Sequence, residues 1–227
     1  MSCVVVDGHV AWVGTLDGYL VGLDLDAPGG PAGLGRIPLG ALPVSAAVAG
    51  TGRVALALQG TDTGDLAIID TTQPGAPVLL SRAGLGVPTY GIAIDGSLAL
   101  AATELGLATV DLSDPAHPVP LAMQRMPATD PYRWVNFPMA SFSVALHQGI
   151  AWVGSVWAVF GFDVRVPAHP RLVARAGTGG NVFALAFDGA RTFAMGALLF
   201  GRGMLELDTS QPRNVLTVKE AEPALQK

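Results

Sequence analysis

The chain has 227 residues, half of them hydrophobic and only 14% charged, with a net charge of −5 at neutral pH. Its 13 Lys and Arg residues do not interleave with aromatics into a basic patch, which excludes nucleic acid as a partner. The single cysteine, Cys3, forms no internal disulfide, and no run of 18 apolar residues offers a membrane-spanning helix.

Met1 leads almost directly into the apolar run Val4-Val5-Val6, with no basic leader, long apolar core or small-residue cleavage site. As written, the chain reads as cytoplasmic; a truncated N-terminus would leave an extracytoplasmic location open. Five repeats then follow, over residues 3–40, 41–86, 87–126, 141–180 and 181–218, with an insertion at 127–140 and a tail at 219–227. Repeat 1 begins at Cys3 and turns at Asp7-Gly8. Repeat 2 predicts strands at 44–49, 53–58, 65–70 and 77–83, and repeat 3 at 90–94, 98–102, 107–111 and 119–125. Repeats 4 and 5 begin at Ser143 and Val182 and turn at Gln148-Gly149 and Asp188-Gly189. Asp-Gly pairs are tight-hairpin signals because Gly accepts positive φ without strain.

One signature unites the repeats. An Asp closes an apolar strand and a Pro follows four residues later: Asp24 and Pro28, Asp70 and Pro74, Asp111 and Pro115, Asp163 and Pro167, Asp208 and Pro212. The Asp-to-Asp spacings of 46, 41, 52 and 45 residues suit four-stranded propeller blades rather than shorter solenoid coils. Third-strand segments such as Leu66-Ala67-Ile68-Ile69 are apolar on both faces, so they need cover on both, as blades sandwiched between blades provide. The expected fold is all-β, a β-propeller of five four-stranded blades forming a single domain over 1–218. Both a closed five-blade ring and part of a larger propeller are compatible with the pattern.

Segments such as Gly64-Asp65-Leu66-Ala67-Ile68-Ile69-Asp70-Thr71-Thr72-Gln73-Pro74 and Gly106-Leu107-Ala108-Thr109-Val110-Asp111-Leu112-Ser113-Asp114-Pro115 resemble the LVIVD repeat of bacterial and archaeal β-propellers. The resemblance covers nearly the whole chain and is weakest in repeats 1 and 5. It implies a propeller, often on secreted or surface proteins, and brings no catalytic motif.

The five motif aspartates are expected to be structural, each capping its own turn through an Asx hydrogen bond, rather than a ring of cation ligands. His117 and His169, each in Pro-Ala-His-Pro, lack the companions of a metal site. No cofactor, metal or catalytic triad is expected: residues 196–203 depart from a phosphate-binding loop, and Ser155 lacks the glycines of a nucleophile elbow. Two places suggest binding. The 127–140 insertion carries Tyr132, Arg133, Trp134, Asn136 and Phe137, residue types that favour contact hot spots. The hairpins between second and third strands, on the same face, add Asp62, Glu104, Trp157 and Arg202. The reading is a noncatalytic binding module for a protein or small polar ligand at the channel mouth. The alternative is a propeller enzyme, a hydrolase or lyase, working there with Asp62, Glu104 and Arg202.

Overall fold

A computed structural model describes residues 2–60, 63–126, 141–189, 191–198, 201–210 and 216–221, and every regular element among them is a β-strand. Sheet 1 holds β1 (Cys3–Asp7), β2 (Val10–Gly14), β3 (Tyr19–Asp24) and β4 (Ala32–Pro38). Sheet 2 holds β5 (Leu42–Val48), β6 (Arg53–Gln59), β7 (Gly64–Asp70) and β8 (Val78–Gly84). Sheet 3 holds β9 (Thr89–Asp95), β10 (Leu98–Thr103), β11 (Gly106–Asp111) and β12 (Val119–Arg125). Sheet 4 holds β13 (Ser141–His147), β14 (Ile150–Ser155), β15 (Ala158–Asp163) and β16 (Arg171–Gly177). Sheet 5 holds β17 (Asn181–Asp188), β18 (Arg191–Leu198), β19 (Gly201–Asp208) and β20 (Leu216–Ala221). Each sheet is a meander in chain order.

Three sequence expectations shift by a few residues. The repeat 5 outer strand, β20, runs to Ala221, so the segment after 218 opens in strand, where 219 and 220 pair with β19. The inner strands of repeats 4 and 5 begin earlier than Ser143 and Val182, at Ser141 and Asn181, because a bulge breaks the alternation that marks a strand start. The first hairpin loops of repeats 1 and 3 are Gly8-His9 and Gly96-Ser97, with Asp7 and Asp95 still in strand. Gly8 and Gly96 alone take positive φ there (61° and 54°), the pattern of a turn with Gly at its first central position. Gln148-Gly149 has positive φ at both positions, 52° and 75°.

All five motif aspartates cap their turns. The Oδ1 atoms of Asp24, Asp70, Asp111, Asp163 and Asp208 accept the backbone N–H two residues ahead, at 3.0, 2.9, 2.8, 3.1 and 2.9 Å. Asp163 also accepts from the Arg165 guanidinium, which with the backbone bond holds its carboxyl down to about 2. His117 belongs to its turn too: Nδ1 lies 2.8 Å from Asp114 Oδ2.

The chain packs as two compact units, Met1–Thr103 with Ala108–Leu121, and Glu104–Leu107 with Ala122–Lys227. In the first, the core lies in layers between successive sheets. Val54, Leu56 and Leu58 of β6 face Val10, Trp12 and Leu20 of sheet 1, while Ala55 and Ala57 of the same strand face Ile92, Ala99 and Val110 of sheet 3. Burial on both faces explains why these strands read as unbroken apolar runs. The second unit repeats the arrangement, with Trp152, Val159 and Ala174 of sheet 4 against Val182, Ala194 and Leu205 of sheet 5.

Side-chain volume is shared across the strands. Trp12, 1% exposed, sits opposite Gly22, and Trp152, 1% exposed, sits opposite Gly161. At the same register in sheet 2 the sizes are exchanged, with Ala55 opposite Ile68. Outer strands meet the next turn through small residues: Ser81 Oγ donates to Pro115 O at 2.6 Å, and a Cβ on Gly35 would stand 2.5 Å from Gly75 O. Gly35 and Ser81 hold the same position in their outer strands, the fourth residue of β4 and of β8, within or next to the irregularity in pairing with the third strand. The Asp-Pro turn therefore does two jobs. It reverses the chain and forms a knob that fits a small residue on the preceding sheet.

Candidate functional site

The end of each sheet that carries the inner-strand start also carries the hairpin between second and third strands, because antiparallel pairing brings them to one edge. At that edge four inner strands are bulged. The extra residue is Val44 in β5, Tyr90 in β9, Phe142 in β13 and Phe183 in β17, each skipped in the pairing with its neighbour strand. A bulge turns one side chain out of alternation and is a frequent device beside binding sites.

The residue after each bulge is small: Ser45, Gly91, Ser143 and Ala184. Where it is Ser it stitches neighbouring inner strands. In the first unit Ile92 N–H donates to Ser45 Oγ at 3.2 Å; in the second Ser143 Oγ donates to Val182 O at 3.3 Å. In β5 and β13 the bulge thus leaves a large residue beside a serine that is spent on the sheet contact.

In the second unit the bulged residues are both aromatic and touch. The Phe142 and Phe183 rings lie 5.3 Å apart at 57°, and Phe183 is 54% exposed. Trp157, in the β14–β15 turn, is 42% exposed and held at φ 67°. Both of its backbone polar groups are tied to the link before β17: its N–H donates to Gly180 O (3.1 Å) and its carbonyl accepts from Thr178 N–H (2.9 Å). A bulky residue in the left-handed region costs on the order of 1 kcal/mol or more and persists only where surrounding contacts impose it. Glu104 is half-buried in the β10–β11 turn.

In the first unit the β2–β3 hairpin is tied by Tyr19 N–H donating to Thr15 Oγ1 at 3.0 Å. Thr15 also hydrogen-bonds Asp17 and pulls that carboxyl below its ordinary range. An open depression of about 440 Å³ lies beside this hairpin, lined by Leu16, Asp17, Tyr19, Pro38, Ala41 and Leu42. The Arg36 guanidinium covers the Tyr19 ring at 5.0 Å.

Of the site residues expected from sequence, Glu104 and Trp157 lie in the turns as anticipated. Arg202 is in strand β19, paired with Ala197, rather than in the hairpin. Asp62, Tyr132, Arg133, Trp134, Asn136 and Phe137 lie outside the described residues. Ser155 and Thr103 close β14 and β10 fully buried. The bulged residues were missed. Their signal is the large-small pair near the head of these four inner strands: Val44-Ser45, Tyr90-Gly91, Phe142-Ser143, Phe183-Ala184.

The five sheets are blades of a β-propeller, and solved structures share the fold. The Pseudomonas aeruginosa periplasmic gluconolactonase PpgL matches with a TM-score of 0.78 at 15% identity, over 97% of this chain and 69% of that one. A Bacteroides uniformis protein provisionally described as a 6-phosphogluconolactonase matches with a TM-score of 0.74 at 12% identity, over 96% and 71%. A functionally unknown protein from Desulfotomaculum acetoxidans matches with a TM-score of 0.70 at 17% identity. The chain covers 96% of its own length in that match and 64% of the Desulfotomaculum protein's. No family model and no curated protein matches the sequence.

Proposed function

We propose that this chain is a propeller hydrolase that opens a small sugar-type lactone beside the bulged ends of its inner strands. The observation that carries the reading is its likeness, over nearly its whole length, to one propeller described as a gluconolactonase and another provisionally described as a 6-phosphogluconolactonase. Glu104 is the carboxylate assigned to the chemistry. It takes a proton from water as the water oxygen attacks the ring carbonyl; the C–O ring bond then breaks, and the departing alkoxide recovers a proton to give the open hydroxy acid.

The test is turnover of D-glucono-1,5-lactone followed by pH-stat. Consumption well above the buffer rate, reduced roughly 100-fold in kcat/KM by Glu104→Gln with the melting temperature unchanged, supports the reading. A wild-type rate equal to the buffer rate overturns it. A second reading, a noncatalytic docking module, is favoured by Trp157, an exposed aromatic held in a strained turn. It is supported if turnover is absent.

A further inference from the structure

Exposed apolar residues are numerous among the described residues, and the largest group sits on outer strands, among them Val78, Leu79 and Leu80 of β8, Val119 and Leu121 of β12, and Leu172 of β16. Phe183 lies on an innermost strand with 54% of its surface exposed; Val4 and Val6 of the inner strand β1 are about as exposed, but of the three only Phe183 is aromatic and sits at a bulge. Val44, Tyr90 and Phe142, at the same phase, are all more covered than Phe183. The bulge takes the phenyl ring out of the regular alternation of the strand and leaves it exposed. Phe142 meets it in a tilted geometry, with centroids 5.3 Å apart, which fixes the Phe183 ring plane while leaving much of its area uncovered.

A fixed, half-open aromatic ring can pack against the C–H face of a saturated ring, whose hydroxyls remain at the rim to meet polar groups and water. We propose that Phe142 and Phe183 form a stacking platform for a neutral, hydroxylated six-membered ring, with Phe183 as the contacting residue and Phe142 as the positioning residue behind it. The identity of the ring rests on the lactonase reading; the contact itself requires no hydrolysis.

The experiment pairs two probes. Methyl β-D-glucopyranoside, which has the ring but no ester, is titrated by calorimetry, and D-glucono-1,5-lactone is used for kinetics. Phe183→Leu is expected to raise the Kd for the glucoside and the KM for the lactone roughly tenfold, with a smaller effect on kcat, and Phe183→Trp to restore both. The melting temperature should hold in both variants because the side chain is half exposed. If Phe183→Leu proves unstable, Phe142→Leu with Phe183 intact serves instead, with a several-fold rise in the same two constants expected. Glucoside binding that depends on Phe183, in a chain that does not hydrolyse the lactone, sustains the platform and defeats the lactonase reading. Hydrolysis whose KM is the same in wild type and in Phe183→Leu overturns the platform and leaves the lactonase reading intact. Failure of the wild type to bind the glucoside and to turn over the lactone overturns the platform.

Discussion

Substituting Gly22 by Ala tests whether sheet 1 is packed around a size-matched pair. A Cβ on Gly22 would stand 2.9 Å from Trp12 Cζ3 and 3.0 Å from Cη2, well inside van der Waals contact. The indole has little room to retreat, since Trp12 is 1% exposed and belongs to a core cluster with Val10, Leu20, Leu39, Val54 and Leu56. Overpacking of this kind costs about 1 to 3 kcal/mol. Replacing Gly by Ala inside a strand returns about 0.5 to 1 kcal/mol of backbone entropy, so the net loss lies between about 0 and 2.5 kcal/mol, centred near 1 kcal/mol. For a chain of this length that central value corresponds to a fall in Tm of roughly 2 to 4 °C. In a Trp12→Leu background the sign should reverse, because the shorter side chain leaves a void that the new methyl fills; Gly22→Ala then stabilises by about 1 kcal/mol. Urea unfolding of the four proteins gives the coupling energy, expected to exceed about 1.5 kcal/mol. Sheet 2 already displays the exchanged arrangement, Ala55 opposite Ile68. Additive effects within about 0.5 kcal/mol would refute the reasoning and show that the two positions do not share one volume.

The turns offer two further tests. The Asp163 carboxyl, lowered from 3.8 to about 2, contributes stability that is fully present above pH 3.8 and is lost as pH falls through about 2. Asp163→Asn should therefore flatten the acid limb of the stability profile between those values, measured by circular dichroism melts, and an unchanged limb would contradict the assignment. Gly35→Ala places a Cβ 2.5 Å from Gly75 O and 2.7 Å from Pro74 O, backbone atoms that cannot swing away as a side-chain tip can. A loss of about 2 to 3 kcal/mol in chemical denaturation is expected, larger than for Gly22→Ala; a smaller loss would mean that the knob of the Asp-Pro turn is loosely seated.

What could be read from the chain alone was what local chemistry decides. An Asp at a strand end captures the N–H two residues ahead whatever surrounds it, so the five turns and the sheets they delimit were legible from the spacing of Asp24, Asp70, Asp111, Asp163 and Asp208. Continuous apolar strands such as β7 likewise announced that both of their faces are covered. The site was legible only in part. Glu104 and Trp157 were found because a hairpin position is a local property, but the strain at Trp157 comes from contacts with Thr178 and Gly180, about twenty residues away. The bulges at Val44, Tyr90, Phe142 and Phe183 are properties of strand pairs, decided by which residue of the partner each residue faces. Register is a balance over a whole ladder of hydrogen bonds and a packed face, so a run such as Asn181-Val182-Phe183-Ala184 reads as plain alternation until its partner strand is in place. The exposure of Phe183, and with it the candidate platform, is for that reason a product of the tertiary structure.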